Sequence, residues 1–249
     1  MSTPVLQCFG LTRRFGGLVA VDDVSLALAS GALHAVIGPN GAGKSTLANL
    51  LSGELTPTSG TLQLDGESVT GWPAWRMARA GVGRSFQRTN IMRPLSVQEN
   101  VRLAAQARLT PPTRLWRNAA KEAAPQIAAR AALERVGLGA EAARKAGALS
   151  HGQQRQLEIA MALATAPRVL LLDEPLAGMG PEESETLAAL LRDLARDHAV
   201  LLVEHDMDVV FRVADQVTVM VEGRVLLSGT PAVVRGSAAV RDAYLGQAT

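Results

Sequence analysis

The stretch Gly38-Pro39-Asn40-Gly41-Ala42-Gly43-Lys44-Ser45-Thr46 decides the fold. An apolar run ends at Ile37 directly before it and a helical pattern begins near Lys44, so it predicts a strand, a glycine-rich loop and a helix. Glycines at this spacing let successive main-chain N–H groups curl around phosphate oxygens, because no Cβ stands in the way. The positive end of the helix favours phosphate, Lys44 is expected to reach the outer phosphates, and the Ser45 hydroxyl is expected to bind Mg²⁺. Chance alone gives such a match about 0.01 times per chain.

Two carboxylates, Asp173 and Glu174, follow the apolar run Val169–Leu172. Asp173 offers a hard oxygen that can hold Mg²⁺ through its water shell. Glu174 stands one residue beyond, where a carboxylate can orient an attacking water or accept its proton. Alone, such a pair is the ordinary end of a strand. The phosphate loop is what makes the catalytic interpretation the better one.

The remaining apolar runs place this loop in an α/β domain. Val169–Leu172 and Val200–Val203 are apolar at every position, which suits parallel strands covered by helices on both faces. Between residues 96 and 166 the pattern changes to Ala, Leu and Arg at helical spacing, which predicts a helical subdomain inserted into a single domain whose core comprises residues 1–95 and 167–249. The predicted strands are Val5–Phe9, Val24–Leu28, Leu33–Ile37, Thr61–Leu64, Val82–Phe86, Val169–Leu172, Val200–Val203, Val217–Val221 and Val225–Leu227.

Composition excludes several classes of protein. With 47% hydrophobic and 19% charged residues in 249, the chain can bury a large core, yet its apolar runs fall short of the roughly 18 residues of a membrane span. A net charge of +2 and few aromatic residues (four Phe, three Trp, one Tyr) argue against nucleic-acid binding. The single cysteine, Cys8, cannot form an internal disulfide, and no secretory pattern opens the chain, so we expect a cytoplasmic protein.

Three further motifs give a resemblance to the ATP-binding cassette (ABC) family. Leu149-Ser150-His151-Gly152-Gln153-Gln154-Arg155 resembles the family's signature motif, although His151 stands where the common form has Gly. Gln87 and His205 follow apolar runs at the positions of the family's Q-loop glutamine and switch histidine. Phe15 matches the aromatic residue that stacks on adenine. The resemblance covers essentially the whole chain, in the family's order.

The resemblance implies both an architecture and a set of roles. The implied fold is a RecA-like P-loop NTPase core with an N-terminal antiparallel β subdomain and an α-helical subdomain inserted between Gln87 and Asp173. ATP would be bound together with Mg²⁺. Gln87 would bind the metal and sense the transport partner, while His205 would contact the γ-phosphate and the attacking water.

The resemblance also implies partners. In this family two cassettes pair head to tail, and each ATP lies between one subunit's phosphate loop and the other's signature motif, here Ser150, Gly152 and Gln153. The implied partners are a second ABC ATPase subunit, two membrane permease subunits and, indirectly, an external solute-binding protein. The implied location is the cytoplasmic face of the inner membrane, at its periphery.

Each residue named from the resemblance also has an ordinary interpretation. Gln87 could be a solvated strand end, His205 a surface histidine and Phe15 part of the core; their common order and spacing favour the functional roles. His34 and His198 have no candidate partner in the sequence and receive no role. A solvated face is the default for a group of arginines around Gln87, with contact to a membrane subunit as the alternative: Arg76, Arg79, Arg84, Arg88 and Arg93.

Several phrases narrow the resemblance to importers of branched-chain amino acids, in which this chain would be the longer of two ATPases. They are Arg14-Phe15-Gly16-Gly17-Leu18, Ser85-Phe86-Gln87-Arg88-Thr89 and Asp242-Ala243-Tyr244-Leu245-Gly246. Urea and amide importers have similar cassettes, so the cargo stays open, as does the choice between homodimer and heterodimer. An ABC ATPase acting on nucleic acid would need coiled-coil arms or a second cassette, and a non-hydrolysing module would have no need of Glu174.

Overall fold

The computed structural model describes residues 4–85, 90–109 and 122–245. Its strands are β1 (Pro4–Phe15), β2 (Leu18–Ala29), β3 (Ala32–Ile37), β4 (Ser59–Leu64), β5 (Glu67–Ser68), β6 (Val82–Arg84), β7 (Val169–Asp173), β8 (Ala199–Val203), β9 (Gln216–Val221) and β10 (Arg224–Gly229). Its α-helices are α1 (Lys44–Leu51), α2 (Ala74–Arg79), α3 (Val97–Leu109), α4 (Ala123–Arg135), α5 (His151–Leu163), α6 (Pro181–Leu194), α7 (Met207–Val213), α8 (Pro231–Gly236) and α9 (Ala238–Leu245).

A six-stranded sheet in the order β10-β9-β3-β8-β7-β6 forms the centre of the molecule. β3 runs parallel to β8 and β9, β7 runs parallel to β8 and β6, and β10 is antiparallel to β9. Leu170 and Leu172 pack into the core on one face of the sheet, and Leu171 packs into the core on the other. Both faces are therefore covered, which is why these strands are apolar at every position.

A second sheet, antiparallel and in the order β2-β1-β4-β5, lies beside the phosphate loop. The Asp22 N–H donates to the Gly223 carbonyl at 2.8 Å, and the Gly223 N–H donates to the Ala42 carbonyl at 3.1 Å. These bonds join the β1–β2 hairpin, the turn between β9 and β10, and the loop itself. The antiparallel β subdomain expected near the N-terminus is confirmed.

The described residues between β6 and β7 are mainly helical. α3 packs against α4 and α5, and Val101, Leu133 and Leu157 are buried between them. An isolated antiparallel bridge between Ser96 and Lys145 joins the residue before α3 to the segment between α4 and α5. The inserted helices follow the predicted fold class, while the exact limits of the subdomain, residues 96 and 166, stay a prediction.

Eight of the nine apolar runs predicted as strands lie wholly within strands; the ninth, Val82–Phe86, forms a strand only as far as Arg84, since Ser85 lies beyond the end of β6 and Phe86 falls outside the described residues. The strand missing from the prediction is β5, which has two exposed polar residues and no periodic pattern to detect. Within the described ranges, no helix is long and apolar enough to cross a membrane.

His34 in β3 has a buried hydrogen-bond partner that the sequence did not reveal. Its Nε2 lies 2.8 Å from Thr218 Oγ1 on β9, and that hydroxyl lies 2.8 Å from Ser228 Oγ on β10. Burial lowers the pKa of His34 to about 4, because the charged ring would lose its hydration. His34 is therefore neutral in the folded chain at neutral pH.

Folding stability should fall as the pH is lowered from 6.5 towards about 4. The pKa of His34 is lower in the folded chain, so the unfolded chain binds more protons throughout this window and gains stability relative to the folded state. Over this window, chemical denaturation of the wild-type protein should show a loss of unfolding free energy about 2–3 kcal/mol greater than in His34→Gln. Equal losses in the two proteins would contradict the assignment.

Candidate active site

The phosphate loop lies between β3 and α1, pressed against backbone on two sides. Gly38 has φ 154°, and a Cβ added there would lie 2.1 Å from the Met220 carbonyl oxygen of β9. Gly43 has φ 96°, and its Cβ would lie 2.2 Å from the Ala20 carbonyl oxygen of β2. Any side chain at either position would push a neighbouring strand away. These two glycines allow the backbone to pass close enough for the loop to keep its curl.

Lys44 opens α1 with its side chain folded over this loop. Its Nζ donates to the carbonyls of Gly38 at 2.7 Å and Pro39 at 2.9 Å, and the residue is only 6% exposed. Burial lowers the pKa of Lys44, whereas the charges of Glu174 and Asp173 raise it. The loop therefore holds a desolvated cation that faces the two predicted carboxylates.

Asp173 ends β7 with a buried carboxylate. Its Oδ2 lies 3.7 Å from an Arg84 guanidinium nitrogen, and its Oδ1 is buried without a hydrogen-bond partner among the described residues. Burial raises the pKa of Asp173, and Arg84, Ser45 and Lys44 lower it. A bare carboxylate oxygen beside a serine hydroxyl fits a hard cation that completes its shell with phosphate and water oxygens. No cluster of three or more His, Cys, Asp or Glu residues in the described chain offers a closed metal cage.

Arg84 is enclosed, which corrects the expectation that the arginines around Gln87 form a solvated face. Its side chain is 9% exposed, and it donates to Ser52 Oγ at 2.5 Å in addition to its ion pair with Asp173. Arg76 and Arg79 instead lie over the rings of Trp72 and Trp75. Arg88 falls outside the described residues, and Arg93 is exposed.

Glu174 follows Asp173 with φ 47°, a left-handed conformation that non-glycine residues seldom adopt. Its N–H donates to the Val203 carbonyl at 2.9 Å, which fixes this residue to the end of β8. Residues in sparsely populated regions persist only where the surrounding structure holds them, and such residues cluster at active sites. The backbone here is thus held in one conformation at the predicted catalytic position.

His205 follows β8 and is exposed, next to a buried glutamate that sequence reasoning missed. Glu204 is 0% exposed and accepts hydrogen bonds from the Leu176 N–H at 3.0 Å and the His205 N–H at 3.1 Å. Burial raises the pKa of Glu204, and these two N–H groups lower it. The available signal was an acidic residue directly after an unbroken apolar strand and directly before the candidate histidine.

The phosphate loop, Glu174 and His205 come together because β3, β8 and β7 are neighbours whose carboxyl ends share one edge of the sheet.

Gln87 lies outside the described residues. Phe15 is 42% exposed, so it is not a core residue, and the Arg13 guanidinium lies 4.6 Å from its ring centroid.

The signature residues form a second group at the start of α5. Ser150 caps the helix: its hydroxyl accepts the Gln153 N–H, and the Gln153 side chain accepts the Ser150 N–H. Ser150 Oγ also lies 3.2 Å from Glu183 Oε1 of α6. A Cβ at Gly152 would lie 2.8 Å from that same carboxylate, so in the single chain this glycine makes room for Glu183.

The sequence profile of the family described as ABC transporter matches residues 21–177. The chain belongs to the ABC transporter family. This cassette is 42% identical to the high-affinity branched-chain amino acid transport ATP-binding protein BraF of Pseudomonas aeruginosa and 41% identical to its counterpart LivG of Escherichia coli K12, with both chains covered in full in each case. The crystal structure of the ADP conformation of an ATP-binding cassette from an ABC transporter matches with a TM-score of 0.88 at 28% identity, over 99% of this chain and 100% of that one.

Replacement of Gly38 by Ala should destabilise the cassette strongly, because the new methyl would meet a main-chain oxygen that cannot move alone. We expect a loss of at least about 3 kcal/mol, from overpacking and a left-handed alanine together. Gly41→Ala is the matched control, since its φ is 78° but nothing lies within 4 Å of the added Cβ; it should cost about 1 kcal/mol. Thermal and chemical unfolding would measure both, and equal losses would refute the close-approach argument.

Proposed function

We propose that this cassette binds and hydrolyses ATP to drive uptake of a small solute, with branched-chain amino acids as the cargo. The observation that carries the proposal is the meeting of Lys44, at the start of α1, with Asp173 and Glu174, at the end of β7, where a buried cation faces two carboxylates. The names of the two bacterial relatives supply the cargo class. A urea or amide importer is the alternative, and the solute-binding protein that co-purifies with the membrane complex would distinguish the two.

Nucleotide binding is assigned to the loop and its neighbours. The loop of residues 38–46 would hold the phosphates through the main-chain N–H groups that follow Pro39 and through the Lys44 ammonium, and Phe15 would stack on adenine. Ser45 and Asp173 would hold Mg²⁺, together with Gln87 from outside the described residues. When bound, the ion neutralises phosphate charge.

Hydrolysis is assigned to Glu174 and His205. Glu174 would accept the proton of the water that attacks the γ-phosphorus, and His205 would donate a hydrogen bond to a γ-phosphate oxygen. The water oxygen forms a new bond to phosphorus while the bond to the bridging oxygen of ADP breaks, so the products are ADP and phosphate.

A complete site would need a second cassette. Ser150, Gly152 and Gln153 would close over the γ-phosphate bound by the opposite subunit, either a copy of this chain or a sister subunit. ATP would thus hold the pair together, and its hydrolysis would let the pair open.

Two permease subunits would connect the cassettes to the membrane. A cavity of about 360 Å³ opens between α2, β6 and α5, and its lining includes Trp75, Arg84, Asn90 and Glu158. Aromatic, cationic and anionic groups together suit a polar helix of a membrane subunit. This docking would place the cassette at the cytoplasmic face of the membrane, with the external solute-binding protein as an indirect partner.

Glu174→Gln should abolish steady-state hydrolysis while ATP still binds, because an amide cannot accept the proton of the attacking water. We expect turnover to fall by at least about 100-fold. An ATP-bound pair should accumulate and be visible by light scattering after size exclusion. Glu134→Gln, at an exposed position of α4, is the control and should keep the wild-type rate. Wild-type turnover in Glu174→Gln would remove the catalytic assignment.

Phe15→Ala should weaken ATP binding by about 1–3 kcal/mol through loss of stacking on adenine. Binding of inorganic tripolyphosphate, which has no base, should stay at its wild-type level. Phe9→Ala is the matched control, since Phe9 is a phenylalanine of the same strand with similar exposure, 49% against 42% for Phe15. Calorimetric titration would measure all three proteins, and an unaltered ATP affinity in Phe15→Ala would leave Phe15 without this role.

A further inference from the structure

Glu204 is a fully buried carboxylate between the two loops that carry the proposed catalytic groups. One of its oxygens accepts the Leu176 N–H at 3.0 Å, and the other accepts the His205 N–H at 3.1 Å. Leu176 lies two residues after Glu174 in the loop that leaves β7. A single side chain therefore joins the loop of the candidate general base to the loop of the candidate γ-phosphate ligand.

Main-chain bonds tie the same point to the strand that leads into the phosphate loop. The Glu204 N–H donates to the Val36 carbonyl of β3 at 3.3 Å, one residue before the end of the strand that leads into the loop. The Glu174 N–H donates to the Val203 carbonyl, directly before Glu204. The ends of β3, β7 and β8, which carry the three parts of the site, are thus hydrogen-bonded to one another at Glu204 or at the residue before it.

The chemistry of this position calls for a carboxylate. Burying an ionised group is costly unless hydrogen bonds satisfy it, and here two main-chain N–H groups do so, with His205 Nδ1 3.7 Å away. A glutamine could accept only one of the two N–H groups, because its NH₂ would face the other donor. Only a side chain with two acceptor oxygens holds both loops at once.

We propose that Glu204 is a positioning residue for ATP hydrolysis: it sets the separation of Glu174 and His205 by anchoring Leu176 and the His205 backbone. The inference rests on the proposed function and deepens it. Displacement of a catalytic group by about 1 Å can cost about 100-fold in rate, so an anchor between these loops acts on turnover rather than on nucleotide binding.

The test is Glu204→Gln in the complex purified with its membrane and sister subunits. We expect kcat to fall by about 10- to 100-fold, while KM and calorimetric ATP affinity change by less than about threefold, because the phosphate loop keeps its own contacts. A kcat within about twofold of wild type would overturn the proposal. A parallel loss of kcat, ATP affinity and melting temperature would also overturn it, since that pattern indicates a general scaffold.

A double-variant cycle adds a readout that a structural role would not produce. If Glu204 acts through His205, then Glu204→Gln combined with His205→Ala should lose clearly less rate than the product of the two single losses. Losses that simply multiply would contradict the proposal.

Two further variants keep the result interpretable. Asp215→Asn is the matched control. The Asp215 carboxylate also accepts a main-chain N–H, from Leu33 at 2.8 Å, but near the opposite end of β3. The kcat of this variant should equal that of the wild type. If Glu204→Gln does not fold, Glu204→Asp keeps both acceptors on a shorter side chain and should show the same kcat-specific loss; wild-type kcat there would overturn the proposal. Absence of ATP hydrolysis in the wild-type complex, or full turnover in Glu174→Gln, would instead overturn the proposed function.

Discussion

Two close approaches of backbone to backbone define the phosphate loop, and the rest of the site is placed relative to them. At Gly38 the loop passes under a carbonyl of β9, and at Gly43 under a carbonyl of β2. Both neighbours belong to sheets with their own buried cores, so neither can yield without loss of packing. The loop therefore presents its N–H groups in a fixed arrangement, which is what binding of a highly charged ligand requires.

The charges around this loop interact strongly because they are buried away from water. Lys44, Asp173 and Glu204 are almost fully buried, and each lies near groups that oppose the cost of its burial. Two unit charges about 4 Å apart interact by about 4 kcal/mol at an effective dielectric constant near 20, against about 1 kcal/mol in water. Arg84 belongs to this network, which explains why a residue expected on a solvated face is enclosed beside Asp173.

The sequence was informative where chemistry or burial imposes a local pattern. Lys44 and Ser45 could be proposed as site residues because phosphate binding demands fixed spacing. The strands β7 and β8 could be predicted because strands covered on both faces are apolar throughout. His34, Arg84 and Glu204 escaped because their roles arise from contacts across the fold: His34 and its partner Thr218 are 184 positions apart. No spacing rule connects such pairs, and only the order of strands in the sheet brings them together.

The two groups of site residues differ in how their positions are fixed by contacts within the single chain. The ends of β7 and β8 and the strand β3, which leads into the phosphate loop, are held by main-chain bonds to one another. The signature helix is held separately, since the capping box between Ser150 and Gln153 and the contact with Glu183 order its first turn within one chain. A helix end that is already ordered loses little conformational freedom when it meets a ligand. In the proposed head-to-tail pair, ordering the signature motif would therefore take up little of the energy of ATP bridging.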